Sequence, residues 1–173
     1  NHIGSEFLIN TYTEGQQNDS TVTHLSDGGF VVVWESSAQD VSGVGIYVQR
    51  YNLVGNKTGN EFQINTNTGV EGSSASVAGL SDGGFVVTWM SYGQDFSDFS
   101  DFGSGIYGQR YDKNGNKLGW EFRVNGYVSE SQSWPAVTGL DDGGFIVTWQ
   151  SNAQEGDFSD FGSGIYGQRY DSL

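Results

Sequence analysis

Cysteine is absent from the 173 residues, which excludes a disulfide framework, thiolate chemistry and any cysteine metal site. Proline occurs once, so the chain is neither collagen-like nor a polyproline stalk. Cationic side chains are scarce: 7 Lys and Arg stand against 21 Asp and Glu, a formal charge of -14. That sign repels nucleic acid, and a helix lying on a membrane surface would carry lysines. The two histidines, His2 and His24, are too few for a histidine zinc site. No run of 18 apolar residues exists, so no helix of the chain spans a bilayer. No Gly-x-Ser-x-Gly elbow occurs, and no segment of helical length shows a 3.6-residue apolar period.

What the chain has in abundance is glycine, 27 residues or about twice the ordinary share, arranged in a repeat. Asp27-Gly28-Gly29-Phe30 returns at 82–85 and 142–145. Each copy runs into a β-branched stretch ending in Trp34, Trp89 or Trp149, and these tryptophans are expected in the core. Gly-Ile-Tyr-x-Gln-Arg-Tyr follows at 45–51, 105–111 and 164–170. A Glu-Phe-x-(Ile/Val)-Asn element occupies 6–10, 61–65 and 121–125. The chain therefore reads as one domain of three units, about 4–59, 60–119 and 120–173.

Each unit predicts four short strands. The first lies near 21–25, 75–80 and 136–140, the second over 30–34, 85–89 and 145–149, the third over 46–51, 106–111 and 165–170, and the Glu-Phe element is the fourth. Asp-Gly between the first two is a hairpin signal, because glycine takes positive φ without penalty. In the second strand Phe85, Val87 and Trp89 share one face and Val86 and Thr88 the other, so both faces are fit for burial. A two-layer sandwich buries one face of each strand, whereas radially stacked four-stranded sheets bury both. The expected fold is all-β, three repeats of four antiparallel strands in a propeller-like arrangement, with a β-prism as the alternative. The chain opens on a fourth-type strand and ends just after a third-type strand. Joining these ends completes the last sheet, within one chain or between two chains that form a six-bladed ring. A homodimer is the expected assembly.

Asp-Gly-Gly-Phe-Val-Val-Thr-Trp (82–89) and Gly-Ser-Gly-Ile-Tyr-Gly-Gln-Arg-Tyr-Asp (103–112 and 162–171) resemble repeat units of long secreted bacterial proteins of the RTX calcium-binding and adhesin kind. The resemblance implies an extracellular, secreted or cell-surface location, a propeller-like scaffold, calcium, and a glycan or cell-surface ligand. The calcium nonapeptide Gly-Gly-x-Gly-x-Asp itself is absent.

The loop between the second and third strands carries carboxylates at every third position: Asp95, Asp98 and Asp101 in the second unit, Asp157 and Asp160, with Glu155, in the third. Calcium takes six to eight oxygens from such loops, which makes these six residues the candidate metal ligands. An acidic, solvated loop pinned by its phenylalanines is the competing expectation. Asp27, Asp82 and Asp142 are expected to hold their own turns. Arg50, Arg110 and Arg169 recur in every unit and are expected to pair with Glu6, Glu61 and Glu121 on the neighbouring fourth strands. Trp120, Tyr127 and Trp134 are the aromatics outside the repeated strands and the candidate ligand contacts, since sugar sites set aromatic faces beside amides and carboxylates. The expected function is a non-catalytic structural or binding repeat of a secreted surface protein, stabilised by calcium. A carbohydrate-binding, lectin-like propeller is the alternative, and a polysaccharide-active enzyme stands third.

Overall fold

The computed structural model describes residues 2–39, 43–67, 71–94, 103–152, 154 and 162–172. They form eleven antiparallel strands and three sheets. Sheet 1 holds β1 (Gln17–His24), β2 (Phe30–Ser37), β3 (Val44–Tyr51) and β4 (Lys57–Gln63), in that order. Sheet 2 repeats the order with β5 (Gly72–Gly79), β6 (Phe85–Tyr92), β7 (Ser104–Tyr111) and β8 (Lys117–Arg123). Sheet 3 has β9 (Gln132–Gly139), β10 (Phe145–Asn152) and β11 (Ser163–Tyr170). Among the described residues sheet 3 thus has three strands where the other two sheets have four. The segment 6–10, whose sequence is that of a fourth strand, joins no sheet and lies against sheet 1.

Local chemistry explains the shared hairpin. Gly28, Gly83 and Gly143 have φ near +85°, and each turn closes with a bond from this glycine N–H to the carbonyl of Leu25, Leu80 or Leu140. The next glycine is required for a different reason. A Cβ on Gly29, Gly84 or Gly144 would lie 2.3 Å from the carbonyl oxygen of Tyr51, Tyr111 or Tyr170. The carboxylate of Asp27, Asp82 or Asp142 accepts the second glycine's N–H at 2.8–3.1 Å, as the sequence predicts for turn aspartates.

The first strands begin three to four residues earlier than predicted. Each carries a bulge whose residue (Asp19, Ser74, Trp134) has φ between 50° and 55°. The extra residue breaks the period of two that marks a strand in sequence.

The sheets stack face to face. β5 packs across β1, β2 and β3, and β9 packs across β5, β6 and β7. Val31, Val33, Ile46 and Val48 of sheet 1 meet Phe85, Val87 and Trp89 of sheet 2. The opposite face of β6, with Val86 and Met90, meets Phe145, Val147 and Trp149 of sheet 3. Burial on both faces, inferred from β6, is therefore observed, and Trp34, Trp89 and Trp149 are core residues. Each large side chain buried in this way contributes about 1.5–3 kcal/mol. First strands approach so closely that a Cβ on Gly79 would stand 2.3 Å from the His24 carbonyl oxygen, and one on Gly139 2.4 Å from that of Gly79. Among the described residues packing joins sheet 1 to sheet 2 and sheet 2 to sheet 3, and no comparable packing joins sheets 1 and 3.

Candidate functional site

The repeated charged residues sort into two kinds of internal support. Arg50, Arg110 and Arg169 meet the turn aspartates Asp27, Asp82 and Asp142, the first two pairs at 3.7 Å. Arg110 also sits over the Phe145 ring, 5.7 Å from its centroid, and donates to the Ser172 carbonyl. The expected arginine–glutamate pairing is corrected: the register places each arginine above the hairpin turn of its own sheet. The hydrogen bond from Gly144 N–H, aided by Arg169, holds the Asp142 carboxyl below the usual carboxylate range.

The glutamates instead bridge consecutive units. Glu61 accepts from Gln39 Nε2 at 2.7 Å and from the Thr11 N–H at 2.5 Å. Glu121 repeats this arrangement with Gln94 and with the N–H and hydroxyl of Thr66. Glu6 is exposed and makes no such bridge among the described residues.

Around the first bridge lies an open groove of about 400 Å³, within the range of small-ligand sites. Tyr12, Gln39, Gln49, Lys57, Asn60 and Glu61 line it. The strand β4 supplies Lys57, Asn60 and Glu61, β3 supplies Gln49, and the segment after Asn10 supplies Tyr12. The side-chain carbonyls of Gln39 and Gln49 are buried and lack a partner among the described residues. They are free acceptors beside an ammonium and a carboxylate, a set that suits a polyhydroxylated ligand. The register carries the same residue types to sheet 2. Lys117, Trp120 and Glu121 on β8 stand where Lys57, Asn60 and Glu61 stand on β4, with Gln109 in the place of Gln49. The Gln109 side-chain carbonyl is likewise buried and unpartnered.

Trp120, predicted as a ligand contact, is 92% exposed on this strand, next to Glu121. Trp134 is also exposed, but it belongs to the bulge of β9, and Tyr127 lies in the connection between β8 and β9. Among the described residues no ring contact joins the three, so they do not form one aromatic cluster. The predicted metal ligands Asp95, Asp98, Asp101, Glu155, Asp157 and Asp160 lie outside the described residues. Among the described residues no group of three or more His, Cys, Asp or Glu could hold a metal ion.

One carboxylate escaped sequence reasoning. Glu35 is buried on β2, where Met90 and Gln150 stand in the other sheets, and it accepts the Ser74 N–H at 2.6 Å. Burial raises its pKa, the hydrogen bond from Ser74 opposes this, and Asp19 raises it further. The only signal in the sequence is its place between Trp34 and Ser36, inside an otherwise apolar strand.

No protein-family model matches this chain, and no curated protein does. Among solved structures the chain is similar to the crystal structure of an endo-arabinase from Bacteroides thetaiotaomicron VPI-5482, with a TM-score of 0.55 and 12% identity. The match covers 93% of this chain and 57% of that one, so the chain spans little more than half the length of the protein it resembles. At this identity the likeness concerns the fold. It still corrects two expectations. The resemblance to calcium-binding and adhesin repeats gives way to a likeness to an enzyme that acts on carbohydrate, and with it go the calcium-binding and adhesin descriptions. The assignment as a non-enzyme is withdrawn for the same reason, since a related fold carries an enzyme. What the comparisons support for this chain is a repeated all-β module related in fold to a carbohydrate-active enzyme.

Proposed function

We propose that the chain is a carbohydrate-binding repeat module with a propeller-like arrangement of sheets, and that the surface of β8 around Trp120 and Glu121, the sheet 2 counterpart of the groove beside Glu61, takes an oligosaccharide. The observation that carries this reading is Trp120. A tryptophan 92% exposed in mid-strand, on the strand that carries Lys117 and Glu121 and next to the strand of Gln109, whose side-chain carbonyl is unpartnered among the described residues, has no packing role. An indole face stacks on the apolar side of a sugar ring, while glutamine carbonyls and a carboxylate accept its hydroxyls. The fold likeness to an endo-arabinase points to arabinose-containing chains as the first ligands to try. An extracellular location goes with such ligands, and no helix among the described residues is long and apolar enough to cross a membrane.

The test is titration calorimetry with arabinan oligosaccharides, preceded by a glycan array, on the wild-type chain and on Trp120→Ala. Base–aromatic and sugar–aromatic stacking are of similar kind, worth roughly 1–3 kcal/mol, so affinity is expected to fall about five- to a hundredfold. The melting temperature is expected to stay unchanged, because the indole is solvated. Saturable binding that Trp120→Ala leaves untouched, or no binding to any glycan, overturns the assignment.

A further inference from the structure

We infer that residues 6–10 of one copy form the missing fourth strand of sheet 3 in a second copy, so that two chains close on each other by exchanging their N-terminal strands. The segment Glu6-Phe7-Leu8-Ile9-Asn10 has the sequence pattern of 61–65 and 121–125. It already sits on sheet 1 as those strands sit on the sheet that follows them. Phe62 packs on Tyr111 at 5.5 Å and Phe122 on Tyr170 at 5.4 Å, and Phe7 packs on Tyr51 at 5.8 Å. Thr66 N–H donates to Glu121, and Thr11 N–H donates to Glu61. The Asn65 and Asn125 amides each donate to the carbonyl two residues on, and so does that of Asn10. What is absent is the sheet to which this strand belongs.

That sheet is present at the other end of the chain. Among the described residues the outer edge of β11 pairs with no strand. In sheets 1 and 2 the corresponding edge is closed in the same way. Ile46 N–H donates to Asn65 Oδ1 at 2.9 Å and its carbonyl accepts from Ile64. Ile106 does the same with Asn125 and Val124. Ile46 and Ile106 are 0% exposed, whereas Ile165, in the same register position, is 78% exposed. Gly108 lies under the Phe122 ring, at 2.8 Å from a notional Cβ; Gly167 has no ring above it. The exposed Phe7 and Leu8 and the unbridged Glu6 supply what β11 lacks, and Gln154 of the partner subunit stands where Gln39 and Gln94 hold their glutamates. Within one chain the match is not made, because among the described residues no packing comparable to that of the other sheets joins sheets 1 and 3. The proposed seam continues the interface that joins sheet 1 to 2 and sheet 2 to 3. It departs from it at one point: His24 stands where Gly79 and Gly139 allow close approach, so the seam packs tightest at the outer strands and opens at the first strands.

Light scattering on the wild-type chain is expected to give a mass twice the 18.8 kDa of one chain. Ile165→Arg is expected to give a single-chain mass with an unchanged circular dichroism spectrum, since the side chain is exposed in the isolated chain. The register Gly108↔Phe122 sets Gly167 opposite Phe7 of the partner subunit. In this chain, which has no native cysteine, the double variant Phe7→Cys, Gly167→Cys is expected to yield a covalent dimer on oxidation. A wild-type monomer, a larger or open-ended assembly, a dimer indifferent to Ile165→Arg, or a cross-link confined within one chain each overturns the inference.

Discussion

Replacing Gly79 by alanine tests the stacking of the sheets at its tightest point. The added methyl group would lie 2.3 Å from the carbonyl oxygen of His24, roughly 1 Å inside ordinary contact. The atom it meets is backbone in a neighbouring strand, so no side chain can swing away. Relief requires β5 to move from β1, which opens the packing of Val31 and Val33 against Phe85 and Val87 as well. Overpacking of this kind costs about 1–3 kcal/mol, and the backbone contact argues for the upper half of that range. For a domain of this size, about 2–3 kcal/mol corresponds to roughly 4–12 °C in melting temperature. The assay is urea and thermal unfolding beside Gly126→Ala, where a Cβ meets nothing within 4 Å and which is expected to stay within about 0.5 kcal/mol of wild type. Gly139→Ala should behave as Gly79→Ala does, since its Cβ meets the Gly79 carbonyl at 2.4 Å. If Gly79→Ala unfolds like Gly126→Ala, the close approach of first strands is wrong and the stacked arrangement with it.

Three further outcomes are expected. Glu35 has a raised pKa, so between its unfolded value near 4.5 and its folded value the native state holds more protons than the unfolded chain, and stability falls as pH rises through that window. Glu35→Gln keeps the acceptor for Ser74, and matches Gln150 of sheet 3; it should raise the neutral-pH melting temperature and flatten that part of the pH profile, and an unchanged profile would refute the assignment. Arg110→Ala removes the contacts to Asp82, Ser172 and Phe145 from a buried position and should cost about 1–3 kcal/mol in urea unfolding, with a loss below about 0.5 kcal/mol counting against it. Glu121→Ala leaves the N–H of Thr66 without its acceptor and cuts the tie between units 2 and 3, so hydrogen exchange at Thr66 should quicken by about tenfold or more, while exchange at Thr11 stays as it was.

Much of this architecture is legible in the residues themselves. Asp-Gly-Gly specifies a hairpin because one glycine needs positive φ and the next must admit a carbonyl of the third strand. The alternation of Phe85 to Trp89 specifies burial on two faces, and the threefold recurrence specifies three units. Trp120 is exposed as predicted, although it stands on the repeated strand β8 and not outside it, at the position Asn60 occupies on β4. Other features depend on which strands become neighbours. The bulges at Asp19, Ser74 and Trp134 add a residue that erases the strand period, so the first strands seemed shorter than they are. Asp and Glu are equally good partners for arginine in sequence, and only the register, which lays Arg50, Arg110 and Arg169 over the hairpin turns, selects aspartate. The glutamates then bridge units through residues 22 to 55 positions away, which no local pattern encodes.

The sequence by itself thus determined the all-β class, the hairpins, the copy number and the buried tryptophans, because turn chemistry and strand alternation act over a few residues. Tertiary structure decided the partners of the charges, the groove beside Glu61 and the fate of 6–10. That segment has the residues of a fourth strand, yet a strand forms only where an open edge lies alongside, and among the described residues the open edge of β11 belongs to the sheet with which sheet 1 shares no comparable packing.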